Sequence, residues 1–231
     1  MSETILITGS NRGIGLELVN QYAAAGWRVF ACAREPQGGE ALNKLAQSFN
    51  NVSLHTLDVT SSEQIQSLAK ELKNQPIDIL FNNAGVYGPY NASFGNTDEA
   101  AWLECLRINT ISPMKICEAF VDNVAMSQRK LIAAMSSKMG SMTDNGSGGS
   151  YIYRSSKAAL NAVMKSVSID LQPKHIKVAI LHPGWVKTDM GGVNAEITVD
   201  ECVGLLRKNL DNMTADNSGN FFEIDGSVIP W

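Results

Sequence analysis

Tyr153 and Lys157 stand four residues apart in Tyr151-Ile-Tyr-Arg-Ser-Ser-Lys-Ala-Ala-Leu160, a spacing that places both side chains on one face of a helix. A phenol titrates near pH ~10, and a cation about 5 Å away at an effective dielectric of about 20 favours its anion by roughly 3 kcal/mol, or about two pKa units. The pair therefore reads as a phenol acidified by its neighbour, fit for general acid chemistry near pH ~7. An ordinary amphipathic helix yields the same spacing by chance, so the reading depends on what the rest of the chain supplies. Tyr151 has no lysine four residues on and reads instead as a lining residue of a loop or cleft.

The opening of the chain supplies a binding loop. Thr4-Ile-Leu-Ile-Thr8 is a short β-branched apolar run, and Gly9-Ser-Asn-Arg-Gly13-Ile-Gly15 follows at once. A helix is expected over Leu16 to Ala25, with Ile14, Leu18, Tyr22 and Ala25 recurring at helical period. The order strand, glycine loop, helix lets backbone approach a pyrophosphate, whose charge the free N–H groups and dipole of the helix start stabilise. A tight turn without a ligand is the plainer alternative. The spacing Gly-x-x-x-Gly-x-Gly differs from the commoner Gly-x-Gly-x-x-Gly fingerprint.

On these motifs the chain resembles the short-chain dehydrogenase/reductase family. The resemblance runs through Thr8-Gly-x-x-x-Gly-x-Gly15, Asn82-Asn-Ala-Gly85, Asn109, a serine in Ser136-Ser137, Tyr153-x-x-x-Lys157 and Pro183-Gly184, in the family's order across nearly the whole chain. Thr143 to Tyr151, Pro183 to Gly192 and Gly226 to Trp231 look closest to the subgroup of C-factor and the insect sniffer carbonyl reductases. The resemblance implies a hydride transferred from a nicotinamide to a ketone, aldehyde or quinone, with Tyr153 protonating the developing alkoxide. It assigns Lys157 to the nicotinamide ribose as well as to the phenol, and Asn109 to a water that leads to Lys157. A surface or capping Asn109 is the alternative. Ser137, in Ser137-Lys-Met-Gly140, matches the serine that polarises the carbonyl, although it lies farther before the tyrosine than usual and a slipped alignment brings Ser136 into play.

Cofactor contacts follow from the same match. Gly9, Asn11, Arg12, Gly13, Ile14 and Gly15 form the loop; Asn83, Ala84 and Gly85 fall beside the adenosine ribose; Pro183, Gly184, Val186 and Thr188 fall on the nicotinamide side. Asp58 and Val59 match the adenine-binding pair, with helix capping by Asp58, Thr60 or Ser61 an equal alternative. At the end of the second strand an NAD enzyme usually presents a carboxylate to the ribose. Cys32-Ala33-Arg34 presents a cation there, and Arg12 can reach the same group. Charge-assisted bonds to a 2'-phosphate are expected, hence NADP(H) over NAD(H), against a reading of Arg34 as a solvated loop residue beside Glu35.

The elements that must position these residues alternate along the chain. Strands are expected at Thr4 to Thr8, Arg28 to Ala33, Asn51 to Leu57, Ile77 to Phe81, Lys130 to Met135, Ile176 to Leu181 and Asn220 to Ile224, with long helices around 98 to 125 and 151 to 171. This is an α/β pattern, a Rossmann-type doubly wound parallel sheet of about seven strands with helices on both faces. One domain over 1 to 231 is expected to hold both cofactor and substrate sites, with Asn145-Gly-Ser-Gly-Gly149 a loop beside them rather than a linker. The short stretch Met190 to Thr198 predicts an open cleft and a permissive substrate range.

Composition narrows the partners. A net charge of −4 without basic runs argues against nucleic acid or anionic membrane. The strand beginning by Thr4 and the lack of a long apolar stretch predict a cytoplasmic protein. Four cysteines without close pairing and three scattered histidines predict no metal site. The expected partner is a small carbonyl or alcohol; the family resemblance further implies a second copy of the chain, paired as a homodimer through the two long helices, with a homotetramer the alternative. A dinucleotide-binding signalling protein with little turnover, of C-factor type, is the competing class.

Overall fold

Thr4–Thr8 (β1) is buried along its whole length, as a continuous apolar run in the middle of a parallel sheet must be. The protein, described by a computed structural model over residues 2–231, continues with Gly13–Ala24 (α1), Arg28–Ala33 (β2), Glu40–Ser48 (α2), Val52–Thr56 (β3), Ser62–Glu71 (α3) and Ile79–Asn82 (β4). Then come Glu99–Leu106 (α4), Ser112–Ala125 (α5), Leu131–Met135 (β5), Tyr151–Asp170 (α6), Lys177–Leu181 (β6), Val199–Asp211 (α7) and Phe221–Phe222 (β7).

The seven strands pair with one another in parallel, in the order β3-β2-β1-β4-β5-β6-β7. Alternate residues feed two cores. Ile5 and Ile7 of β1 pack with Leu18, Val19 and Leu42 on one face, joined by Val203 and Leu206 of α7. Leu6 packs on the other with Ile65, Ile116, Phe120 and Leu160. The doubly wound expectation is met. The chain moves outward from β1 to β3, then crosses to β4 on the opposite side of β1, so a crevice opens at the carboxyl ends of β1 and β4.

Three expectations change in detail. The first helix begins at Gly13, inside the glycine loop, rather than at Leu16. The helix expected over 98 to 125 is interrupted by a π-helical turn at Arg107–Ile111. The last strand has two residues, because Phe222 turns to bridge Val228 in antiparallel fashion. Among the described residues no helix is long and apolar enough to cross a membrane, and no cluster of His, Cys, Asp and Glu could hold a metal.

Candidate active site

The glycine loop is pinned to the end of β4 by its own neighbours. The Thr8 hydroxyl accepts from the backbone N–H of Asn83 at 3.0 Å and of Ala84 at 3.1 Å. Asn83 Nδ2 donates back to the carbonyls of Thr8, 2.9 Å, and Gly9, 3.1 Å. Backbone here is as close as atoms allow: a Cβ on Gly9 would stand 2.9 Å from Ala84 Cα, and one on Gly15 would stand 2.1 Å from the Gly9 carbonyl oxygen. At the start of α1 Arg12 makes no side-chain cap and the first turn holds no acid, so its free N–H groups face outward without a competing carboxylate. Ile14 turns inward against the β1 core, while Asn11 stays exposed.

Across the crevice Thr188 meets this loop, its Cγ2 lying 3.4 Å from where a Cβ of Gly13 would be. Val186 is buried and bridges Ile197, and Gly184 presses on the same Ile197. That packing sets the course of Pro183 to Thr188. Arg12 reaches over the same gap to Asp189, Nη1 to Oδ2 2.5 Å, with both side chains exposed.

Asp58 does not cap α3. That role falls to Ser61, which accepts from the Gln64 N–H at 3.2 Å. Asp58 Oδ1 accepts instead from the N–H and the hydroxyl of Thr60 at 2.9 and 2.8 Å. These bonds, with Arg34 and Arg107 nearby, hold its carboxyl below the usual range. Oδ2 takes part in neither bond and is left as an acceptor. Val59, the next residue, is partly buried against the core that α3 faces. Arg34 itself is exposed at the end of β2.

Ser137, Tyr153 and Lys157 come together where β5 ends against α6, and all three are nearly inaccessible, at 7%, 8% and 4% exposure. Ser137 is extended and opens a short 3-10 turn, its Oγ accepting from the Met139 N–H at 3.2 Å. Ser136 is turned away, donating to Asn161 Oδ1 at 2.5 Å. Geometry thus separates two serines that sequence left in competition.

The expected acidification of the phenol is not found. Burial pushes Tyr153 up to about 12, against a smaller downward pull from the Ser137 hydroxyl. Lys157 donates to the Met135 carbonyl at 2.8 Å and lies over the Tyr153 ring at 5.8 Å from its centroid; burial lowers it to about 8. Desolvation outweighs the charge attraction that spacing alone suggests.

Asn109 sits in the π-helical turn and is 1% exposed, so it is not a surface residue. Its side chain clamps Val86, accepting from the N–H at 2.9 Å and donating to the C=O at 2.8 Å, and donates to Ser156 Oγ at 2.9 Å. It lies alongside Lys157 through Gly85, whose Cβ would meet Asn109 Oδ1 at 3.2 Å and Lys157 Nζ at 3.5 Å. Sequence reasoning passed over Thr8 and Ser156 as supports and read Tyr87 only as a wall of an apolar substrate cleft, whereas its ring stacks on Tyr153 with centroids 4.5 Å apart. The Thr-Gly and Ser-Lys adjacencies were the available signals for the first two. Tyr87 had none.

The family model for short chain dehydrogenase matches residues 3–197, and the chain belongs to that family of oxidoreductases. Within it the likeness is to the C-factor and sniffer group. The C-signal protein of Myxococcus xanthus is 36% identical over 167 residues, which are 72% of this chain and 100% of that one. The carbonyl reductase Sniffer of D. melanogaster is 34% identical with a TM-score of 0.93 over 100% of both chains. An NADPH-bound carbonyl reductase from chicken fatty liver is 34% identical with a TM-score of 0.92, over 100% of this chain and 99% of that one.

Proposed function

We propose that the protein is an NADPH-dependent carbonyl reductase that converts a ketone, aldehyde or quinone to the alcohol and runs in reverse when NADP+ is abundant. The observation that carries this reading is the convergence of Ser137, Tyr153 and Lys157 beside Gly85, at the crevice into which the glycine loop opens. The close backbone at Gly9 and Gly15 and the uncapped start of α1 fit a pyrophosphate. Arg12 and Arg34 would hold the 2'-phosphate, Asp58 Oδ2 the adenine amine, and Lys157 the nicotinamide ribose. When bound, the cofactor supplies the hydride to the carbonyl carbon.

The chain supplies the rest. Ser137 donates a hydrogen bond to the carbonyl oxygen and builds up positive character at the carbon. Tyr153, with its pKa pushed up, keeps its proton at neutral pH and passes it to that oxygen. Lys157, still mostly protonated at pH ~7 with a pKa of about 8, stabilises the phenolate left behind. Tyr90, Phe94, Trp185, Met190 and Val193 are exposed apolar side chains in the loops after β4 and β6, suited to a permissive range of apolar carbonyls.

The test is NADPH oxidation against a panel of carbonyls, with Tyr153→Phe beside the native protein. The variant should fold and bind NADPH while turnover falls by roughly 10² to 10⁴-fold. Near-normal reduction by Tyr153→Phe would refute the mechanism. The likeness to the C-signal protein supports a second reading, a signalling protein that binds the dinucleotide without turnover. Fluorescence-detected NADPH binding with no oxidation across the panel would favour it.

A further inference from the structure

The catalytic helix begins without a cap of its own. Ser150, which precedes α6, lies in the left-handed region at φ 46° and ψ 38°, and its side chain makes no capping bond to the helix. The first turn of a helix has orphan N–H groups and frays unless something holds it. Tyr153 stands in that first turn. A proton donor displaced by about 1 Å can lose about 10²-fold in rate, so the hold on this turn matters for chemistry.

We propose that Tyr87 is a positioning residue for Tyr153, gripping the phenol ring by stacking and the start of α6 through Ser150. The proposal rests on the reading of Tyr153 as proton donor. The Tyr87 ring lies 4.5 Å from that of Tyr153 at an interplanar angle of 26°, and its hydroxyl is 2.9 Å from Ser150 Oγ. Tyr90 in turn stacks on Tyr87 at 4.9 Å and 18°.

Tyr87 is itself fixed from both directions along the chain. Val86 before it is clamped by both polar ends of Asn109. Gly88 after it, at φ +77°, passes so close to α6 that a Cβ there would meet Ile152 Cγ2 at 3.2 Å. The route runs from Asn109 through Val86 and Tyr87 to Ser150 and Tyr153. It gives Asn109 a role in placing the donor that is separate from any water it holds. The Tyr87 hydroxyl is engaged with Ser150, and the residue acts through Tyr153 rather than on the substrate.

The experiment compares Tyr87→Leu, Tyr87→Phe, Ser150→Ala and the Tyr87→Phe/Ser150→Ala pair as full-length proteins, using 4-nitrobenzaldehyde reduction by NADPH. Tyr87→Leu should lower kcat by about tenfold or more while KM and NADPH affinity hold, the mark of lost alignment rather than lost binding. Tyr87→Phe keeps the stack and should restore most of kcat. Its remaining loss should equal that of Ser150→Ala, and the pair should be no worse than either single, because all three break one bond. An unchanged kcat in Tyr87→Leu, or additive losses in the pair, would overturn the proposal. If Tyr87→Leu does not fold, the pair decides.

Amide exchange over residues 151 to 154 adds a reading that needs no turnover. It should quicken in Tyr87→Leu, or in the pair if that variant does not fold. Faster exchange in a protein that reduces no carbonyl would sink the reductase reading and leave the grip of Tyr87 standing. Unchanged exchange in a protein that reduces carbonyls normally would do the reverse.

Discussion

Burial moves the two ionisable groups at the centre of the candidate site in opposite directions, and each keeps, with a different margin, the form that the proposed carbonyl reduction needs. Tyr153 is pushed up to about 12 and holds its proton at neutral pH; Lys157 is pushed down from 10.5 to about 8 and holds its charge narrowly. The folded pKa of Lys157 lies below its unfolded value, so the unfolded chain binds the proton more tightly. Below pH about 8 the fold carries the full cost of a buried ammonium, and that cost fades as pH rises to 10.5. A shift of that size corresponds to about 3 kcal/mol, from which about 1 kcal/mol is subtracted for the bond to the Met135 carbonyl. Lys157→Met is therefore expected to be more stable than the native protein by about 2 kcal/mol near pH ~7, with turnover lost. Denaturant unfolding of the unliganded proteins at several pH values checks this. A gap that is absent near pH ~7, or that fails to close toward pH 10.5, would contradict it.

Between elements, one glycine sets the separation of serine and lysine. The short turn Lys138–Gly140 that follows Ser137 lies directly on α6. A Cβ on Gly140 would stand 2.8 Å from the Lys157 carbonyl carbon and 2.9 Å from its Cβ. Helix backbone cannot give way, so Gly140→Ala should push the turn and Ser137 off α6, destabilising the fold by about 1 to 3 kcal/mol and lowering kcat by about tenfold or more. Normal kinetics in a folded Gly140→Ala would show that this contact does not set the site. The glycine of Ser137-x-x-Gly140 was visible in the sequence, but its reason was not, since the clash partner lies on another element. The same limit runs through the molecule. β1 and β2 were legible to the residue because each is a buried apolar run with a clear stop. The π-helical turn at Arg107–Ile111 was not legible, because one added residue leaves the helical periodicity on either side intact. The choice between Ser136 and Ser137 depended on which of two adjacent hydroxyls the strand end turns toward Asn161. Spacing could place the Tyr153 phenol beside a cation, but only packing shows how much water both groups lose.

At the scale of the whole molecule the candidate cofactor site joins parts that are distant in sequence, and this makes binding measurable as stability. Arg34 follows β2, Arg12 precedes α1, and Arg12 spans the crevice to Asp189 in the loop after β6. A ligand that binds only the folded chain raises its stability by RT ln(1 + [L]/Kd), about 2.7 kcal/mol at 100 times Kd. If the two arginines hold the 2'-phosphate, NADP+ should raise the melting temperature more than NAD+ at equal concentration. Replacing both Arg12 and Arg34 by glutamine should erase that advantage while leaving the NAD+ shift in place, since only NADP+ loses charge-assisted bonds. Asp189→Asn frees Arg12 from its present partner and should enlarge the NADP+ shift. Both arginines are exposed, so added salt should shrink the advantage of NADP+ more than it shrinks the NAD+ shift. Equal losses for the two nucleotides in the double variant would remove Arg12 and Arg34 from the 2'-phosphate, and with them the basis for preferring NADP(H).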